Sequence, residues 1–559
     1  MAAAQGATDG AASLVQSVDW LALAPPALTA AVALIVLVAD LFLPGRRKPL
    51  LGAVSVAGLA AALLLLLPLR SGDRSTFCLT ADPGVCSYTA DHFTLAIQLL
   101  VLGGALLTAL LSVTEVGEAG ETGVAAGTAA TGAAEAETRA GAGARADAGA
   151  RAGGTSGTTK LPPGEFWFLL LSSAAGAALL PAARDLATLV VALEVATLPA
   201  FALVGLKRGD RLSSEAALKF FLSSVTATAV MLLGVSFVYA ATGTLHLTEI
   251  ADRLDSVPGQ LGTLASAGVA LTLVGFAFKT AAAPFHFWVP DTYVGAPLPI
   301  AAYLSVVGKA VGFSGLILVT VVAFPGHSDV WGPLLAVLAA LTMTVGNVAA
   351  LRQSPTRAYS AVRLLAWSSV AQAGYLLVPI AAAAYAGTDR IGSTVAYALM
   401  YAVVNLGAFA VAAVVARTKP LNRLADYRGL ASRRPLTALA LGFFLLCLAG
   451  LPPGVIGLFA KVTVFSSAVD AGLGWLAVVM AVNVVVALFY YLRWTATLFQ
   501  APETPGAARA ADAPAPAGPL AVRPAPAPVL AAVALTAAAA VALSGAPQLV
   551  LRLATESLF

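Results

Sequence analysis

Apolar residues in this chain gather into long continuous runs, separated by short polar stretches, instead of alternating in the two-residue rhythm of strands. Fourteen runs reach spanning length: 27–43, 51–69, 92–113, 165–182, 185–206, 216–241, 262–284, 298–323, 331–351, 361–385, 391–416, 436–462, 473–499 and 526–545. About 20 apolar residues cross the hydrocarbon of a bilayer, so each run predicts a transmembrane helix. The expected fold is an all-α polytopic membrane protein. Two of the runs are interrupted. Within 271–313 the pattern breaks at Pro284, and within 436–465 it breaks at Gly450, Pro452, Pro453 and Gly454. Interrupted spans five helices apart are expected of inverted repeats, here two five-helix repeats made of spans 4–8 and 9–13.

Two stretches carry no such pattern. Residues 114–163 are rich in Ala, Gly and Thr with too little bulky apolar surface to bury, and are expected to form a disordered insertion. Residues 501–525 read as a Pro/Ala-rich linker. The predicted organisation is therefore three N-terminal spans (1–113), the insertion (114–163), a first repeat (164–325), a second repeat (326–500), the linker (501–525) and a final span with its tail (526–559). The first residues lack the basic segment of a cleaved signal, so the first run is expected to persist as a helix.

Composition agrees with the pattern. The chain is 59% hydrophobic and 11% charged, with a mean hydropathy of +0.87, far from the roughly 25% charge of soluble domains. Net charge, +4, decides little; its placement decides more. Of 32 basic residues, 22 fall in one alternating set of loops and six in the other. The positive-inside bias makes the first set cytoplasmic and puts both termini outside the cell membrane.

The remaining four bases are Lys219, Lys279, Lys309 and Lys461, all within predicted spans. An ammonium at membrane depth costs at least about 2.5–3.5 kcal/mol. Arginine stays protonated, whereas a desolvated lysine can release and retake a proton, so the residue type suits an ion pathway. For Lys279 and Lys309 a second reading stands, that of lysines snorkelling to the interface from helix ends. Glu194 is the one acid placed deep in a span. With Lys219 it reads as a two-state ion pair, the alternative being a structural carboxylate bonded to a neighbouring helix.

Other candidates are less specific. His286 follows the first break and is either a proton relay or an interfacial anchor among Phe285, Phe287 and Trp288. Ser368, Ser369 and Gln372 place hydroxyls and an amide in mid-membrane, to bond across helices or to hold a water file. Cys78 and Cys86 share a polar external loop where a disulfide is permitted, and Cys447 reads as packing. No phosphate-binding loop, dinucleotide fingerprint, or Cys/His cluster for iron–sulfur or haem is present in the sequence. Any driving force is expected from an ion gradient or a partner.

The blocks LEVATLPAF with Glu194, SEAALKFFL with Lys219, GFAFKTAAAPFHFWVPDTYVGAPLP with Lys279, AYLSVVGKAVGF with Lys309, LLAWSSVAQAGYL, YAVVNLGAFAV and GLPPGVIGLFAK with Lys461 are together specific. On these residues, over about 88–113 and 164–500, the chain resembles the subunit N family of bacterial proton-translocating NADH–quinone oxidoreductases (respiratory complex I). The resemblance implies 14 helices and one antiporter-like proton path. It assigns Glu194 and Lys219 as the coupled pair, Lys279 as central proton carrier, Lys309 as connecting lysine and Lys461 as the exit lysine. It also implies no cofactor in this chain, with NADH, FMN, iron–sulfur clusters and a quinone elsewhere in the complex. The implied partners are membrane-arm neighbours such as antiporter-like subunit M and small subunit K. Two departures stand out: Gln372 occupies a position where family members often carry histidine, and the 114–163 insertion lies outside the common core. Two further functions are carried forward, a subunit of a multisubunit cation/proton antiporter and a scaffold whose lysines only staple helices.

Overall fold

A computed structural model describes residues 18–79, 82, 84–116, 161–501, 525–552 and 558. Nearly all of the predicted insertion, most of the linker, and the terminal residues whose sidedness was predicted lie outside the described residues.

The described chain is mainly helical. In order, α1 is Trp20–Phe42, α2 Pro49–Leu64, α3 His92–Val116, α4 Pro163–Leu179, α5 Leu186–Val204, α6 Arg211–Thr242 and α7 Gly259–Lys279. Then follow α8 Leu298–Ala323, α9 Ser328–Leu351, α10 Ser360–Ala386, α11 Ile391–Ala416, α12 Pro435–Ala449, α13 Val455–Asp470, α14 Gly474–Phe499 and α15 Ala527–Gly545. Among the described residues, 13 helical stretches are long and apolar enough to cross a membrane. The run predicted at 436–462 is instead divided between α12 and α13, neither of which reaches that length alone.

Burial sorts the helices. α8, α10 and α11 are covered on nearly every side and form the centre, whereas α1, α2, α6, α14 and α15 present apolar side chains outward. A helix that is apolar all round must sit in a core or in lipid, and this molecule has both kinds. Some polar groups of the central helices bond to one another. Asn405 Nδ2 on α11 donates to Ser305 Oγ on α8 at 2.6 Å, and Thr394 Oγ1 donates to the Leu376 carbonyl at 3.1 Å.

Boundaries follow caps more than composition. α1 begins seven residues before the predicted run, because the Asp19 carboxylate accepts from the Leu21 and Ala22 amides at 3.0 and 3.1 Å. Pro25 and Pro26 lie within this helix. Likewise Asp185 caps α5 on Thr188 N at 2.7 Å, and Asp210 caps α6 on Leu212 N at 2.9 Å.

The all-α expectation needs one addition. Strands β1 (Arg74–Cys78) and β2 (Cys86–Ala90) form an antiparallel hairpin closed by a Cys78–Cys86 disulfide. Arg184 joins it, donating its amide to the Ser87 carbonyl at 2.9 Å and pairing with Asp91. The Arg184 carbonyl in turn accepts from Leu247 N at 2.9 Å, so the hairpin ties the ends of α3, α5 and α6 together.

Candidate functional site

Both predicted breaks are present, but each is built differently from its neighbour. α7 ends at Lys279 itself, five residues before Pro284, where the break was expected. Past Lys279 the backbone turns through Ala281 with φ 62°, a left-handed conformation that costs a non-glycine residue about 1–2 kcal/mol. The freed backbone groups are satisfied inside the protein: Ala282 N reaches the Ala277 carbonyl at 2.9 Å, and Ala283 N reaches Thr342 Oγ1 at 2.8 Å. At the second break α12 closes on Gly450, whose φ of 83° suits glycine.

Lys279 is 6% exposed. Its ammonium donates to Ser224 Oγ at 2.8 Å and Thr197 Oγ1 at 3.4 Å, and lies 3.5 Å from Glu194 Oε1. Glu194 accepts from Thr228 Oγ1 at 2.8 Å. The carboxylate therefore meets Lys279, not Lys219 as the sequence suggested. Thr228 lies nine residues beyond Lys219 on α6, about 13 Å along the axis, which explains the mismatch of depth. Lys219 is half exposed and bonds to Glu215 Oε1 at 2.7 Å and Asp291 Oδ2 at 2.9 Å. Asp291 also faces Arg363 at 3.5 Å. Burial alone would raise the Asp291 carboxyl, but Lys219 and Arg363 outweigh it and hold it below the ordinary carboxylate value.

Beside Lys279 lies a small pocket, lined among others by Ser173, Thr197, Tyr303 and Gly308. Its polar lining is linked, Tyr303 Oη donating to Ser173 Oγ at 2.9 Å. Gly308 closes a π-helical turn at 304–308, a helix irregularity common at functional positions, and Lys309 follows it directly. The α8 backbone also presses on the Lys279 peptide: a Cβ at Gly312 would lie 2.7 Å from the Lys279 carbonyl carbon. Lys309 is 3% exposed and donates to the Ser369 carbonyl. Snorkelling is thus not what either lysine does.

From Lys309 the polar groups continue. Tyr401 Oη donates to Ser369 Oγ at 3.0 Å, and Tyr401 lines a second small pocket with Gln372, Tyr397 and Lys461. Gln372 is held there, its Oε1 accepting from Tyr397 and its Nε2 donating to Tyr491 Oη at 3.4 Å. Lys461 is 6% exposed. Its ammonium donates to the Leu448 and Ala449 carbonyls at 2.8 and 2.7 Å, the unpaired end of α12. The Tyr375 ring centroid lies 5.9 Å away. Lys279 and Lys461 thus each line a pocket, and Lys309, Ser369 and Tyr401 form a polar cluster that reaches the second one.

His286 stands apart from this line. Its ring packs on Trp367 with centroids 5.5 Å apart, and burial lowers its pKa from the ordinary imidazole value, opposed by the Pro284 carbonyl. Cys447 is buried and unpaired, as expected of packing. Among the described residues no group of three or more His, Cys, Asp or Glu could hold a metal.

Sequence reasoning missed Thr197, Ser224, Thr228, Asp291, Arg363 and Tyr401. Thr197 sits one turn from Glu194 and was legible by helical spacing. Asp291 was legible as an acid within a re-entrant apolar segment. Tyr401 had no signal, since a tyrosine in a span reads as packing.

The profile of the family described as "NADH:quinone oxidoreductase/Mrp antiporter, TM" matches residues 183–487. A NADH-quinone oxidoreductase subunit N 2 from Streptomyces griseus is 72% identical over 550 residues, covering 98% of this chain and 96% of that one. A subunit N from Salinispora tropica is 44% identical, covering 87% of this chain and 86% of the other. Among solved structures, a chain of respiratory complex I from Thermus thermophilus with bound aureothin has a TM-score of 0.69 at 30% identity, over 95% of this chain and all of that one. A chain of the Mrp complex from Dietzia has a TM-score of 0.74 at 21% identity over 96% of both, a likeness of fold.

Proposed function

The chain belongs to the subunit N family of NADH–quinone oxidoreductase, the membrane arm of a proton-translocating respiratory enzyme, and on that premise we propose that its buried lysines pass protons from one broken helix to the other. As a subunit of that enzyme it works without a redox centre of its own. Electron transfer from NADH through FMN and iron–sulfur clusters to quinone belongs to other subunits and supplies the driving force.

The observation that supports this reading is that three lysines are buried in the helix bundle, Lys279 beside Glu194, Lys309 on Ser369 next to Tyr401, and Lys461 in a pocket that Tyr401 and Gln372 also line. Lys279 takes a proton in the first cavity, with Glu194 balancing its charge. A change in charge at Lys219, imposed by a neighbouring subunit, alters what Glu194 offers Lys279. The proton then passes through water in the cavities, using Lys309 as a stepping amine, and leaves at Lys461. His286, packed on Trp367 away from this line, acts as an anchor. Gln372 positions the second cavity's water in the role a histidine would otherwise fill.

Several finer features accompany the proposal. α12 and α13 together make a fourteenth crossing, and residues 164–325 and 326–500 are inverted repeats. The insertion at 114–163 lies on the cytoplasmic face, both termini lie outside, and the neighbours in the plasma membrane are an antiporter-like subunit M and small subunits such as K.

The test is NADH-driven proton uptake by inverted membrane vesicles containing the assembled enzyme. Lys279→Met or Glu194→Gln should cut uptake about a hundredfold, the scale of a lost proton-transfer group. Full pumping by either assembled variant would remove the mechanism.

A further inference from the structure

The turn that follows Lys279 is enclosed by protein. Thr280, Ala281 and Ala282 have no exposed surface, and neither has Thr342 on α9. Ala281 holds a left-handed φ of 62°, a conformation that a residue with a Cβ keeps only where its surroundings impose it. The first three amides past Lys279 fold back on α7 itself: Thr280 N bonds to the Phe276 carbonyl at 2.9 Å, Ala281 N to Phe278 at 3.0 Å, and Ala282 N to Ala277 at 2.9 Å. The fourth leaves the segment. Ala283 N donates to Thr342 Oγ1 at 2.8 Å. Thr342 spends its own hydroxyl proton on the Leu338 carbonyl one turn back, so its oxygen is presented to Ala283 as an acceptor. Both partners are buried, and loss of the hydroxyl would leave an amide without a bond.

The helix that supplies this anchor is itself tightly seated. A Cβ at Gly346 would lie 2.4 Å from Ala371 N, and one at Gly374 would lie 2.6 Å from Met343 N, so α9 and α10 meet backbone to backbone beside Thr342. α10 also offers the Ser369 carbonyl to Lys309. One helix pair therefore holds both the chain that leaves Lys279 and the ammonium of Lys309.

Resting on the proton path above, we propose that Thr342 is a positioning residue for proton transfer by Lys279. Its hydroxyl pins the chain four residues past the lysine. It thereby fixes where α7 ends and where the ammonium stands against Ser224, Thr197 and Glu194. Lys279 must lose and regain a proton, and each change alters the pull of Glu194 on its side chain. An anchor in the main chain keeps the backbone of the lysine still while its side chain responds. Such placement matters, because a displacement of about 1 Å at a reacting group can cost about a hundredfold in rate.

NADH-driven proton uptake by inverted vesicles tests this, normalised to NADH oxidation by ferricyanide as the measure of membrane-bound enzyme. Thr342→Val is close in shape but lacks the acceptor, and should slow uptake about tenfold. Thr342→Ser keeps the hydroxyl and should return uptake to within about twofold of the parent. A structural role alone predicts a lower Tm for Thr342→Val, with normalised uptake unchanged well below that Tm. That result, or equal uptake by the valine and serine variants, would overturn the proposal. Where Thr342→Val does not assemble, Thr342→Cys takes its place, because a thiol accepts hydrogen bonds weakly. It should run about threefold slower than Thr342→Ser, and parity between those two would be equally fatal. Assembly of the serine variant alone would make Thr342 a folding residue and end the idea as well. The proton path fails separately: normal uptake by Lys279→Met refutes it, whereas a failed anchor leaves Lys279→Met inactive and Thr342→Val pumping normally.

Discussion

The two broken helices hold their lysines by opposite means. Lys279 ends the first half of its helix and faces a carboxylate and two hydroxyls contributed by α5 and α6. Lys461 begins a turn and a half into the second half of its crossing and reaches back to the carbonyls that close α12. Among the described residues it has no carboxylate within ion-pair distance. A carboxylate can change charge or be drawn off by a competing amine. Backbone carbonyls at a helix end are a fixed partial charge, and can do neither. On the proton path proposed above, the first site is the adjustable one and the second a fixed receiver, and direction would come from that pairing.

Arginine substitution sharpens that contrast most. Lys279→Arg keeps a cation beside Glu194 but cannot surrender a proton, so proton uptake should fall about a hundredfold, as with methionine. Lys461→Arg should fall by about tenfold, because water in the second cavity can still discharge the path. Recovery by either arginine would mean that the amine only staples helices. A smaller effect is expected at the cap of α12. Gly450→Ala puts a Cβ 3.3 Å from Lys461 Cδ in a left-handed backbone. It should destabilise the protein by about 1–2 kcal/mol, read as a lower Tm, and slow uptake a few-fold without touching the Glu194 site.

The smallest effect concerns acid stability. Asp291 titrates below its unfolded value, so the stability it adds is complete above about pH 4 and is lost as pH falls through the folded value. The Tm gap between parent and Asp291→Asn should close on acidification below pH ~4. A gap that stays constant would mean that the carboxylate charge is not what Lys219 and Arg363 bind.

Much of this architecture was legible because oil dictates it. Long apolar runs became helices with ends displaced by a few residues, and three of the four amines predicted within them, Lys279, Lys309 and Lys461, are buried. What composition could not give was depth. Glu194 and Lys219 are on consecutive helices, yet turns of unknown length between them leave their relative height open, and the pair dissolved when Thr228 was found opposite the acid. The break near Lys279 was placed at Pro284 because proline is the visible breaker, while the chain turns earlier, at Ala281. The hairpin was hidden because β1 and β2 are five residues each and read as polar loop. Tyr401 and Tyr397 were invisible because their roles lie in where their hydroxyls end.

Gly312 has a mechanical corollary. With no side chain between them, the α8 ribbon rests on the Lys279 peptide itself, and neither can advance toward the other. Closer approach of these two lysine-bearing segments is thereby blocked at the level of main chain, so on the proposed path a proton would cross between them by swinging side chains and reorienting solvent, not by an inward piston stroke of helices.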